Sequence, residues 1–301
     1  MLDFYRVLVK EDGSIIHDIF ATSHDDLVDK YSKAHGLICC KNYIKLMYSP
    51  KIGYKLDDLD NYEIIISDIS IPKWFDNIKD KIESNLNDLI SSMIISRDRK
   101  LILHEGVILN KNAKIGIVKQ SVIFAMYDNS HIEVLDENTQ VRRMGDNSII
   151  SRTQDSTKVI LMENFSKVEK MFDSSAIKEV KDRATIGVMY DHTFIGKLCG
   201  TSEIDEMQEE SQAEIIAHMS RVKEMHGFSQ IEEMRHYSIV EKMFGNSKIN
   251  YMRDNAIVEA MYGNSIVEYM DNDSTIEANF ENSLVRRLND TVENIQKKFK
   301  I

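Results

Sequence analysis

The sequence is poor in everything that punctuates or staples a chain. Two prolines and twelve glycines among 301 residues exclude collagen-like and proline-rich linker classes. Three cysteines, Cys39, Cys40 and Cys199, two of them adjacent, form no disulfide framework, and a reducing, cytoplasmic compartment is expected. No apolar run approaches the ~18 residues of a membrane span, so no membrane partner is expected. The first residues, Met1 to Arg6, show no basic stretch followed by an apolar one, so no secretory leader is expected. With a net charge of −11, the chain does not read as a general nucleic-acid or anionic-membrane binder.

Motifs of common chemistry are missing too. There is no glycine-rich phosphate loop and no nucleophile elbow. His104-Glu105-Gly106 lacks the second histidine of a zinc helix. Asp58-Leu59-Asp60-Asn61-Tyr62 opens like a calcium loop without its glycine and terminal glutamate. No cofactor, metal or catalytic residue is assigned, and the chain reads as a non-enzyme. An alternative enzyme in residues 1–128 would draw on His17, His24, Asp25, His35 and His104.

What is present is a repeat. From Asn129 to Asp290 the chain keeps a nine-residue register through eighteen copies, without insertion or deletion. The consensus is Asn-Ser-x-Ile/Val-x-x-Met-x-Gly/Asp. Position two is Ser or Thr in sixteen copies, with Ala184 and Ala256 the exceptions. Position four is Ile or Val in seventeen, with Ala213 the exception. Position seven is Met in eleven and another aliphatic in five, broken by Thr153 and Asn279.

A helix fails this pattern, because nine residues rotate the apolar stripe by ~180° from one copy to the next. Positions two and four alternate as in a strand, and β-branched residues favour one. Position seven reaches the same face only if the strand bends. Asn, Gly and Asp at positions nine and one supply turn residues tolerant of positive φ. The pattern therefore predicts a β-solenoid with inward Ser, Ile and Met. Position eight sets the coil: Phe172, Tyr190, His226, Phe244, Tyr262 and Phe280 lie in one alternate set, and the other set has no aromatics. Two copies thus make one two-sided coil of eighteen residues, about nine coils in all. His218 and His236 fall eighteen apart and should stack.

The ends differ. Residues 1–110 read as a small α+β domain. It has a hairpin around Glu11-Asp12-Gly13, a helix capped at Ser23 and ending near Ala34, strands over Tyr43–Tyr48 and Tyr62–Ile66, and a helix opening at Pro72. The solenoid is assigned to 111–290, with an imperfect register before residue 129. Residues 291–301 carry Val292, Ile295 and Phe299 at helical spacing, a short C-terminal cap helix over the exposed strand edges.

Charge is segregated. Residues 129–290 hold 29 acidic and 18 basic side chains; the remainder balance at 20 and 20. The coil 201–218 contains Glu203, Asp205, Glu206, Glu209, Glu210 and Glu214 with no lysine or arginine.

The Asn-Ser-x-Val-x-x-Met units, as at Asn264 to Met270, resemble nonapeptide-repeat proteins of phages and mobile elements. Small and large inward residues such as Ser247 and Ile249 are distantly similar to those of pentapeptide-repeat proteins. The resemblance covers about 60% of the chain. It implies a β-solenoid and, from acidic pentapeptide rods that imitate DNA, a mimic. B-DNA carries one charge per ~1.7 Å, roughly 25 along the ~43 Å of nine coils, far above this rod's net of eleven. Only a local mimic around 201–241 remains.

The expected function is therefore a binding or scaffold protein, presenting a rigid acidic solenoid to an unknown protein partner, such as a host factor that it inhibits. The candidate contacts are the six carboxylates above with Phe244, Tyr251, Tyr262 and Tyr269. A self-assembling structural protein, as a homo-oligomer through the N-terminal domain or the C-terminal helix, is the alternative.

Overall fold

The structure is a computed structural model that describes residues 5–21, 23–35, 42–271 and 273–288. The expected cap helix and Cys39–Cys40 lie outside the described residues. Two compact units emerge. One runs to Ser96 and takes in Glu105–Asn110; the other comprises Arg97–His104 and the chain from Lys111.

In the first unit, β1 (Tyr5–Lys10), β2 (Ile15–Ile16), β3 (Tyr43–Pro50) and β4 (Tyr62–Ile66) form an antiparallel sheet ordered β2-β1-β3-β4. Helix α1 (His24–His35) starts at a reciprocal cap: the Asp26 N–H donates to Ser23 Oγ at 3.0 Å, and the Ser23 N–H donates to Asp26 Oδ2 at 2.9 Å. Helix α2 (Lys79–Met93) buries Ile82, Leu86, Ile90 and Met93. It begins later than Pro72 suggests. Phe75 bonds back to Pro72, and Asn77 to Trp74, across three residues, so tight turns precede the α-helix.

In the second unit, a front sheet of eleven parallel strands runs from Arg99–Leu103 through His131–Asp136 to Thr275–Asn279. The back sheet's strands within this unit run from Val122–Met126 to Leu284–Leu288. Each strand pairs with the one a full coil away: Ile249 faces Val267, and Met252 faces Met270. Front and back strands alternate along the chain, as a two-sided coil requires. Positions four and seven are buried, while five and six lie outward or half-buried, as in Ile231–Met234. Pairing runs through positions three, four, six and seven and skips five. That is the bend needed for Ile and Met to share one face. Ser247, Ile249 and Met252 are fully buried.

The coil count is eleven strands on the front sheet, not about nine. The first coils are shorter: Leu101 pairs with Ile117, sixteen residues on, and Ile115 with Ile132, seventeen on. Pairing settles at eighteen from Ile132 and Ile150. A strict period cannot register coils of unequal length.

Position nine explains the Gly and Asp of the consensus. Every described residue there has positive φ, from Asp128 (54°) through Asp173 (57°), His218 (65°) and Gly245 (65°) to Glu281 (58°). Gly200 (φ 76°) shows why glycine also serves: a Cβ there would stand 2.8 Å from the Asp182 nitrogen.

Candidate functional site

The corners are where this chain varies, so the site is built from them. At the first corner the chain passes from front to back sheet; at the second it returns. Coil-to-coil backbone bonds run through both, such as Phe165 N–H to the Asp146 carbonyl at 2.9 Å. The left-handed residue would leave its own N–H unpaired, and where the next coil places an acidic side chain beside it the carboxylate accepts it. At the first corner Asp155 donates to Asp173 (3.0 Å), Asp173 to Asp191 (2.9 Å), and Asp191 to Glu209 (2.8 Å). At the second, Asp128 donates to Asp146 at 2.9 Å and His236 to Asp254 at 3.2 Å. Part of the rod's acidity therefore does structural work, much as a carboxylate caps a helix N-terminus.

The six carboxylates of coil 201–218 do not form one patch. Glu203, Asp205 and Glu206 belong to a front strand (Glu203–Met207) and Glu214 to a back strand (Gln212–Ile216); Glu209 and Glu210 sit at the first corner. Lys223 Nζ bridges Glu203 and Asp205 at 2.6 Å each, and these bonds push the Lys223 ammonium well above the usual lysine range. Glu206 accepts from Gln208 Nε2. Glu209 Oε2 caps the Asp191 N–H. Glu210 Oε2 lies 3.3 Å from His192 Nδ1. Glu214 is exposed.

Phe244 and Tyr262 stand in an aromatic ladder at the first corner. Ring centroids are 4.9 Å apart from His226 to Phe244, 5.1 Å from Phe244 to Tyr262, and 5.0 Å from Tyr262 to Phe280. Phe172 and Tyr190 stack at 4.8 Å in the same ladder, and Gln208 interrupts it. Tyr251 and Tyr269 are a separate pair on the back sheet, 5.9 Å apart and tilted by 55°. They line a shallow depression of 320 Å³ with Glu232, Lys248, Asn250 and Glu268. Lys248 and Arg286 both hold Glu268 at 3.0 Å, and the Lys248 bond chiefly depresses that carboxyl's pKa.

His218 and His236 do stack, at 5.0 Å, on the second corner. Among the described residues no three His, Cys, Asp or Glu side chains group to hold a metal ion. Cys199 is buried, and burial pushes its thiol pKa up. His17 and His24 are half-buried, and desolvation lowers both pKa values; His24 Nε2 is 2.8 Å from the Leu46 carbonyl. Asp25 pairs with Lys45 at 2.8 Å. His104 is a left-handed corner residue (φ 55°) and belongs to the second unit, whereas His17 and His24 belong to the first. The His35 side chain lies outside the described residues.

The broken ladder exposes a feature that the sequence reading missed. A notch of about 570 Å³ opens at the first corner, lined by Asp191, His192, Gln208, Glu209, Glu210, His226, Gly227 and Phe228. Three successive coils meet there. At position one the usual Asn is replaced in turn by His192, Glu210 and Phe228. Gly227 has no side chain to fill the space, and Phe228 is 65% exposed. Position eight carried a signal: Gln208 falls where the neighbouring coils place rings.

No helix among the described residues is long and apolar enough to cross a membrane. Comparison of the chain with family models, with curated proteins and with solved structures gives no match.

Proposed function

We propose that this chain is a non-enzymatic, cytoplasmic binding scaffold, whose rigid solenoid presents one corner to a protein partner. The carrying observation is where the repeat relaxes. Through coils 190–228 the inward residues stay small at position two and aliphatic at positions four and seven, with Ala213 the one departure in size, and Ser202, Ile204, Met207, Ser220, Val222 and Met225 are all buried. The same coils abandon the consensus at their corners, with His192, Gln208, Glu210 and Phe228 on the first and Thr201 and Met219 on the second, and the notch opens on the first. Core positions answer to packing, and a surface that leaves the pattern without packing gain answers to something outside the chain. The constant eighteen-residue spacing from Ile132 onward supports the same reading, since catalytic groups usually ride on loops inserted into a scaffold. The resemblance to phage and mobile-element repeat proteins suggests a host factor as the partner.

A whole-rod DNA mimic is disfavoured, because Asp173, Asp191 and Glu209 spend oxygens on backbone caps. The test is capture with the tagged full chain in host lysate, reading proteins and nucleic acids separately. A stoichiometric protein, released by high salt and rebinding when purified, is expected. Nucleic acid as the sole ligand, or concentration-dependent mass in light scattering with no ligand, would replace this reading by a nucleic-acid or self-assembling one.

A further inference from the structure

The protein already shows what its rings accept. The Arg152 guanidinium carbon lies 4.4 Å from the Phe172 ring centroid, Arg142 lies 4.7 Å from Phe124, and Arg183 lies 5.7 Å from Phe165. The last pair is the informative one. Phe165 and Arg183 occupy position one of successive coils at the second corner. Phe228 is the position-one phenylalanine of the first corner, and the residue one coil on is Asn246. Its ring is thus exposed without the guanidinium that its counterpart carries.

Around that ring the notch presents the Asp191, Glu209 and Glu210 carboxylates, and no lysine or arginine lines it. Glu209 uses Oε2 on the Asp191 N–H, Asp191 uses Oδ2 on the Asp173 N–H, and Glu210 Oε2 lies 3.3 Å from His192 Nδ1; a carboxylate accepts more than one bond, so each keeps room for a further donor. A planar, delocalised cation fits both surfaces. It lies flat on an aromatic face and offers paired donors to a carboxylate at once, whereas a compact ammonium, as Lys30 does over Tyr31 at 5.5 Å, meets a ring only as a point charge. The space is open because Gln208 replaces a ladder ring and Gly227 has no side chain; a Cβ at Gly227 would meet the Glu209 backbone at 3.1 Å.

We propose that the notch receives an arginine side chain of the protein partner, the guanidinium lying on Phe228 and bonded by Glu210. This rests on the scaffold reading and names the chemistry of its contact.

The probe is a fluorescein-labelled Gly-Arg-Gly-Arg-Gly peptide, with a lysine counterpart, titrated against the full chain by anisotropy. Salt is kept at about 0.15 M so that long-range attraction to the acidic rod is screened. The arginine peptide should bind about tenfold more tightly than the lysine peptide. Phe228→Ala and Glu210→Gln should each weaken it by about tenfold, with unchanged melting. Glu214→Gln, an equal charge change on the back sheet, should leave binding unchanged. Equal losses from Glu210→Gln and Glu214→Gln, equal affinity for the two peptides, or no binding would each overturn the notch. Failure here while the captured partner still binds Phe228→Ala would remove the notch and leave the scaffold. Loss of any captured partner while the peptide still reads Phe228 and Glu210 would do the reverse.

Discussion

Thr153 Oγ1 lies 2.8 Å from Ser175 Oγ, inside the solenoid, with both residues buried. Thr153 is one of two polar breaks in the methionine column. The other, Asn279, also pairs with a serine of position two, Ser283. Each break in the apolar column is thus answered by a position-two hydroxyl.

The serine column predicts opposite signs for one substitution. The hydroxyls of Ser211, Ser229, Ser247 and Ser265 are buried with no hydrogen-bond partner, whereas Ser148, Ser202 and Ser220 of the same column donate to the carbonyl three residues back. Ser247→Ala should therefore be neutral or stabilising by up to about 1 kcal/mol. Ser175→Ala strands the Thr153 hydroxyl and should cost about 1–3 kcal/mol. Urea unfolding of the two variants decides it, and equal effects would contradict the pairing.

The corner carboxylates predict a ranking at Asp173, which has φ 57° and caps the Asp155 N–H. Asp173→Asn keeps both functions in weaker form. Asp173→Gly keeps the backbone and loses the cap. Asp173→Ala loses the cap and strains the backbone, costing about 1–3 kcal/mol in all. Melting temperatures should fall in that order; alanine equal to asparagine would refute the double role.

The ladder is a stabilising element first. Phe244 stacks between His226 and Tyr262, so Phe244→Ala should destabilise by about 1–2 kcal/mol, beyond what Tyr251→Ala costs on the back sheet. If Phe244→Ala instead left unfolding unchanged and abolished partner capture, the ladder would be the contact surface.

The two units should respond to acid at different pH. Burial lowers the pKa of His17 and His24, so the unfolded chain takes up protons that the folded unit refuses. The stability of the first unit is then present above the unfolded histidine value of about 6.5 and lost as pH falls through it. In the solenoid, the Lys242 bond to Glu224 and the Lys248 bond to Glu268 depress both carboxyls. Their contribution is present above about 4 and lost below it. Trp74, the single tryptophan, reports the first unit alone. Its thermal midpoint should drop between pH 7 and 5, while the solenoid's far-ultraviolet signal holds to about pH 4. Parallel loss of both signals would contradict this.

The coil was legible because its requirements repeat. Ser247, Ile249 and Met252 recur at fixed spacing, and the left-handed residue closing each turn limits position nine to a few side chains. A period shows only what every coil shares. Coils of sixteen and seventeen residues before Ile132 share the fold and not the period, so the count came out short. The acidic residues were legible as charge and not as contacts. Whether Glu209 meets a partner or the Asp191 N–H is decided when coils stack and bring carboxylate and donor within 2.8 Å. The notch belongs to the tertiary structure for the same reason. Asp191 and Phe228 are two coils apart in sequence and share one rim only because parallel pairing stacks each corner directly on the one before it. Local preference and period were enough to specify the strand, the bend and the turn; only stacking specified which side chains meet across them.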